Sequence, residues 1–181
     1  MTRLATVSGN ARHREVAQAA FAFERSLFLA HANGWRDLRI DDQEIVAAAW
    51  CHGAVGIAIA HLDLDPELRE EETRTIVDIA TATACRKGLG WNHTLCHGDV
   101  GVWELVAAAA RKGLAPSGMS SESLLARILS SLEEFSPICG FARNAFAPGM
   151  FSGVGGIAYE LLRAHPEHAL PSVMTLEAAA A

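Results

Sequence analysis

Two Cys-His pairs stand in matching settings, Cys51-His52 ahead of Gly53 and Cys96-His97 ahead of Gly98. Thiolate and imidazole are donors that Zn²⁺ prefers, and three protein ligands with a fourth position open is the pattern of a catalytic rather than a structural site. Cys51, Cys96 and His97 would make such a set. His52 would then sit beside a ligand, able to contact a substrate or donate a proton. A plainer account fits the same residues: two buried thiols in apolar surroundings, a histidine capping a helix, and His52 hydrogen-bonded within its loop. The pairs lack the compact CxxC spacing of a zinc finger, so spacing alone leaves both accounts open. Of the other thiols, Cys85 lies in Ala80-Thr-Ala-Thr-Ala-Cys-Arg and reads as core packing, and Cys139 follows Pro137 in a loop with no partner at an informative spacing.

The elements that must position these side chains are visible as an internal repeat. Trp50-Cys-His-Gly-Ala-Val-Gly-Ile, Leu95-Cys-His-Gly-Asp-Val-Gly-Val and Met150-Phe-Ser-Gly-Val-Gly-Gly-Ile share one pattern, with first glycines 45 and 55 residues apart. That period signals stacked helical hairpins. The first glycine of each unit is expected to allow a backbone turn closed to other residues, and the second to let the helix that starts there pack closely on its neighbour. Three helices then begin in equivalent settings. Arranged around one axis, they bring the residues before each glycine to one end, where helix N-termini favour thiolate. The third unit carries Phe151-Ser152 in place of Cys-His, which separates a ligand-free repeat from two ligand-bearing ones.

Elsewhere, Ala, Leu, Glu and Arg dominate and no stretch alternates as a strand would, which predicts an all-α fold. Helices are expected over 12–32, ending at Asn33-Gly34 as a left-handed cap would, and over 42–50, 66–87 and 120–135, the last two starting at Asp65-Pro66 and at a capping Ser120, with loops over 113–119 and 136–149. Asp99, in the first turn after Gly98, reads as a helix-dipole group. His93 reads as an exposed or loop-orienting histidine, and Glu70, Glu71 and Glu72 as a solvated helix face. With 50% hydrophobic residues, 181 residues suffice for one globular unit. A net charge of -6 with scattered Lys and Arg argues against nucleic acid as a partner. No apolar stretch approaches the roughly 20 residues of a membrane span, and no signal peptide is visible, which places the expected location in the cytoplasm.

At the repeat motifs the sequence resembles the lanthionine synthetase C family: Trp50-Cys51-His52-Gly53, His93-Thr-Leu-Cys96-His97-Gly98-Asp99-Val-Gly101 and Pro148-Gly-Met-Phe-Ser-Gly153-Val-Gly-Gly-Ile157 are similar to its signature motifs. Glu24-Arg-Ser-Leu-Phe28, Asn33-Gly-Trp35-Arg-Asp-Leu-Arg39 and Pro171-Ser-Val-Met-Thr-Leu-Glu177 resemble the C-terminal cyclase half of class II lanthipeptide synthetases. The resemblance implies an α/α toroid, here a partial one spanning 1–177 with a tail at 178–181, and Zn²⁺ held by Cys51, Cys96 and His97. It implies addition of a peptide Cys thiol to dehydroalanine or dehydrobutyrine, giving lanthionine or methyllanthionine rings in lanthipeptide (lantibiotic) biosynthesis. The implied partner is a dehydrated precursor peptide, with a dehydratase or the rest of a synthetase as a further one. The family's upstream His-Gly repeat and acidic residue have no match: His13 and His31 lack a following Gly-x-x-Gly. Two other roles therefore stand beside the cyclase, a zinc- and peptide-binding remnant or split-enzyme subunit, and a protein that adds glutathione to an electrophile. A truncated ring of hairpins would expose apolar edges, which predicts self-association.

Overall fold

A computed structural model of the chain describes residues 1–40, 44–64, 72–114, 116, 118–141 and 145–175. Helix α1 (Thr2–Ser8) closes on Gly9 in the left-handed conformation, φ 64°, and Asn10 caps α2 (Ala11–Ser26) by accepting the Arg12 N–H at 3.0 Å. The helix expected over 12–32 stops at Ser26. The chain instead forms a short antiparallel hairpin, β1 (Phe28–Leu29) against β2 (Gly34–Trp35), turned by Asn33 at φ 52°. The Asn-Gly pair is thus a hairpin turn rather than a helix cap. Packing decides it: Phe28 and Trp35 meet edge to face at 5.1 Å, and a Cβ on Gly34 would lie 2.4 Å from the Val46 side chain.

The helix expected over 42–50 is absent from the described residues 44–50, which run non-helically with Val46 bridged to Arg36. Its alanines read as helical, but the Ala47 and Ala48 carbonyls accept the N–H groups of Ala54 and Val55, at 3.1 and 3.3 Å, and so cannot serve a helix of their own. The following helices are α3 (Ala54–Leu62), α4 (Thr73–Lys87), α5 (Asp99–Arg111), α6 (Ser121–Phe135) and α7 (Val154–Arg163). Ser120 caps α6 by accepting the Ser123 N–H at 3.1 Å, as expected. The predicted start at Asp65-Pro66, the glutamates at 70 and 71 and the tail at 178–181 lie outside the described residues.

The all-α expectation holds, with only the two-residue strands as exceptions among the described residues. Helix α5 is buried on almost every side, from Asp99 through Ala107, because it packs on α3, α4, α6 and α7. Leu95, Leu105, Val77 and Val106 are wholly buried around it, each contributing about 1.5–3 kcal/mol over the exposed state. Apolar side chains remain exposed on two faces, Leu4, Val7, Val16 and Phe23 on α1 and α2, and Trp91, Phe135, Phe141 and Phe146 near α6.

Helices α3, α5 and α7 begin immediately after Gly53, Gly98 and Gly153, and the three loops before them repeat one hydrogen-bond pattern. Ala54 N–H donates to Ala47, Asp99 N–H to Asn92 and Val154 N–H to Ala147, at 3.1, 2.9 and 2.8 Å. The loops are also tied in series: Trp50 N–H donates to the Cys96 carbonyl at 2.9 Å, and Cys96 N–H to the Phe151 carbonyl at 2.8 Å. The expectation that the first glycines supply a special turn is corrected. Their φ values, -179°, -131° and -136°, are extended and open to any residue. What they permit is close approach, since a Cβ at Gly53, Gly98 or Gly153 would fall 2.1–2.3 Å from the preceding loop. The second glycines answer the loop too, rather than a neighbouring helix: a Cβ at Gly56, Gly101 or Gly156 would lie 2.0, 2.0 and 1.7 Å from the carbonyls of Trp50, Leu95 and Met150.

Candidate metal centre

The tied loops bring the side chains of the first two repeats together. Cys51 Sγ lies 3.4 Å from His97 Nε2, and Cys96 Sγ lies 3.7 Å from the same nitrogen. Cys51 Sγ is 2.9 Å from His52 Nδ1. Cys51, His52 and His97 form a group whose donor atoms all fall within 4.8 Å of one another, an arrangement that could hold a metal ion. Bond lengths of about 2.3 Å to sulfur and about 2.0–2.1 Å to nitrogen at tetrahedral angles separate two ligands of one zinc by about 3.5 Å. The Cys51–His97 and Cys96–His97 distances match that separation. The Cys51–His52 distance is shorter and is that of a hydrogen bond. The donor set, two sulfurs and an imidazole nitrogen, is also chemically suited to Zn²⁺.

Burial differs across the group. Cys51 is exposed, His52 and His97 are exposed or half-buried, and Cys96 is buried. Burial, followed by its hydrogen bond with Cys51, pushes the Cys96 thiol up to about 12. A neutral thiol there is the state of the metal-free chain, and a bound divalent cation would invert that preference. Burial lowers His52 and His97 below the usual imidazole range, and the Arg39 cation lowers both further.

Arg39 and its partner Asp37 were not singled out as functional from the sequence. Asp37 is buried at 4% exposure and grips Arg39 with both oxygens, Oδ1 to Nε at 2.9 Å and Oδ2 to Nη2 at 2.7 Å, while Oδ1 also accepts the Arg39 N–H. The Arg39 hydrogen bond holds the Asp37 carboxyl down to about 2. Both line a cavity of about 860 Å³ that opens on Cys51 and His52 and has Trp35, Trp50 and Ile57 as apolar walls. Trp50 is stacked on Phe151 at 4.9 Å and an interplanar angle of 5°, so the third repeat supplies an aromatic support where the others supply ligands.

The remaining candidates fall elsewhere. Cys85 is half-buried against the core, and Cys139 is buried in a second cavity with its Sγ 3.9 Å from the Ala147 carbonyl. His93 is buried rather than exposed and orients its loop: Nδ1 accepts the Ile138 N–H and Nε2 meets Ser131 Oγ, both at 2.9 Å. The Asp99 carboxylate accepts the Gly90 N–H at 2.7 Å, so it fastens the preceding loop as well as standing in the first turn of α5. Sequence reasoning also missed a buried group between α5 and α7. Arg163 Nη1 meets Glu104 Oε1 at 2.7 Å and Glu160 Oε2 at 2.8 Å, and Ser172 Oγ donates to Glu104 Oε1. Its one signal was a carboxylate, Glu104, between Trp103 and Leu105.

Residues 1–175 match the family model described as lanthionine synthetase C-like protein. The chain belongs to that family. Neither the curated proteins nor the solved structures hold a significant match to it.

Proposed function

From that membership, we propose that the chain is a zinc-dependent peptide cyclase domain of the class II synthetase type. It would close lanthionine and methyllanthionine rings by adding Cys thiols to dehydroalanine or dehydrobutyrine in a dehydrated precursor peptide. The single observation that carries the reading is the pair of near-tetrahedral ligand separations, 3.4 and 3.7 Å, that join Cys51 and Cys96 to His97. We read Cys51, Cys96 and His97 as the zinc ligands and α3, α5 and α7 as part of an α/α toroid whose helix starts face the site.

Zn²⁺ bound there supplies Lewis acidity that lowers the pKa of a substrate thiol and keeps its sulfur nucleophilic at neutral pH. The residues of the chain do the rest. Two thiolates in the ligand set add negative charge, which keeps the substrate sulfur electron-rich. Cys51 and Cys96 stand ahead of the N-termini of α3 and α5, whose dipoles favour the thiolate form. His52 hydrogen-bonds to Cys51 and lines the cavity, which supports a role for its imidazole in taking up or returning a proton beside the reacting atoms. The Trp50–Phe151 stack fixes the loop that carries Cys51.

The test is metal content by mass spectrometry on purified protein, together with ring formation on a dehydrated peptide. One equivalent of zinc, lost in Cys51→Ala and in Cys96→Ala, with ring formation lost alongside it, is the expected result. Folded protein that carries no zinc would overturn the reading. Zinc retained in Cys96→Ala but lost in His52→Ala would transfer the third ligand position to His52.

A further inference from the structure

The cavity beside Cys51 carries a cation that the cyclase reading does not use. Arg39 spends one edge of its guanidinium on Asp37, through Nε and Nη2, and Asp37 is buried, so the side chain is fixed rather than free to sweep the surface. A guanidinium has five N–H donors, and among the described residues this two-bond grip leaves Nη1 uncommitted. The side chain nonetheless remains 59% exposed, on a cavity wall shared with Cys51 and His52. A buried carboxylate that holds a half-exposed arginine on the wall of a cavity shared with a reactive thiol is an arrangement suited to receiving negative charge on a partner molecule.

We propose that Arg39, aimed by Asp37, binds an oxyanion of the substrate next to the sulfur that reacts at Cys51's end of the cavity. The identity of that oxyanion rests on the cyclase reading. When a thiolate sulfur bonds to the β-carbon of a dehydroamino acid, the double-bond electrons move to the α-carbon and its carbonyl oxygen. The resulting enolate is discharged when a proton reaches the α-carbon. Arg39 would hold that carbonyl oxygen while it is charged. A carboxylate already present on the substrate would use the same donors. The presence of a fixed anion-attracting cation beside Cys51 does not depend on which of the two it is, nor on the bound metal.

The experiment compares the rates at which Cys51 is alkylated by iodoacetate, an anion, and by iodoacetamide, its neutral counterpart, read by peptide mass spectrometry on the purified chain. The ratio of the two rates is expected to fall about fivefold in Arg39→Met and to be largely kept in Arg39→Lys. Cys85, whose neighbouring cation is Arg86, is the internal control, and its ratio should not move. Far-ultraviolet circular dichroism and the melting midpoint check that each variant is folded. A Cys51 ratio that changes by less than about twofold in folded Arg39→Met, or that changes equally at Cys85, would overturn the proposal. Failure of the cyclase reading shows separately, as absence of zinc or of ring formation, and leaves the alkylation ratio to decide on Arg39. Where ring formation is measurable, Arg39→Met lowers kcat if the oxyanion forms during the reaction and raises KM if the substrate brings it. An effect on neither overturns the proposal as surely as an unchanged ratio.

Discussion

The seam between the first two repeats and the seam between the last two are built on the same backbone and closed in opposite ways. Each joins loops through one N–H to carbonyl bond, Trp50 to Cys96 in the first and Cys96 to Phe151 in the second. At the first seam, the donor atoms of Cys51, His52, Cys96 and His97 meet one another, at distances of 2.9–3.7 Å among the pairs named above, beside an open cavity. The second has an aromatic ring and a serine in the loop, and its polar chemistry lies deeper, where Arg163 pairs with one oxygen of each of Glu104 and Glu160 out of reach of solvent. One scaffold therefore separates a reactive junction from an inert one. If that division is right, damage to the second seam should unfold the protein, and damage to the first should cost chemistry.

The largest expected effect is at the inert seam. Arg163→Met leaves two buried carboxyl groups without their cation, and removing one partner of a buried ion group costs about 3–5 kcal/mol. Urea denaturation should show that loss as a lower midpoint at an unchanged slope. The fraction that remains folded should keep its metal. A loss below about 1 kcal/mol would mean that the apolar packing of α5 on α7, not the ions, holds this seam.

A smaller effect, with a sign, follows from the same group. Burial, and then the neighbouring Glu104 charge, raise Glu160 from 4.5 to about 8. Across that interval the folded chain holds a proton that the unfolded chain has lost, so stability falls as pH rises from about 4.5 to about 8. Glu160→Gln keeps the shape and removes the titration, and should flatten the slope. The reactive seam behaves oppositely. Asp37 is held down from 3.8 to about 2, so the stability it adds is present above 3.8 and lost as pH falls through about 2. Thermal melts of wild type and Glu160→Gln across pH 4–9 check the first, and a wild-type slope equal to that of the variant would remove the Glu160 proton from the account.

What could be read from the sequence follows this division. The reactive seam was legible because its parts are local: Cys-His-Gly recurs in register, and the glycines mark where α3, α5 and α7 begin. The Ser120 cap was legible for the same reason. The inert seam was not, because Glu104 lies on α5 while Glu160 and Arg163 lie on α7, and the last two look like ordinary helix charges. Local signals also misled where tertiary demands outweighed them. The alanines of 47–49 read as a helix, yet the carbonyls of Ala47 and Ala48 are needed by the start of α3, and small side chains let Gly53 approach them. Asp37 and Arg39 lay within a stretch noted only for its resemblance, and nothing in their spacing showed that one is buried and the other aimed into a cavity.

The smallest expected effect on stability is at the reactive seam itself. Cys51 is exposed, so Cys51→Ala in metal-free protein removes little packing and should change the unfolding free energy by less than about 1 kcal/mol. Added zinc separates the two proteins. A ligand that binds only the folded chain stabilises it by RT ln(1 + [L]/Kd), about 2.7 kcal/mol at a hundredfold excess over Kd, so the wild-type melting point should climb with zinc while that of Cys51→Ala stays put. Cys96→Ala is the sharper control, since its thiol is buried at 6% exposure and some loss is expected even without metal. Should Cys51→Ala cost more than about 2 kcal/mol in chelator-treated protein, the thiol would be a structural link like those of the second seam, and the division between a reactive and an inert junction would fail.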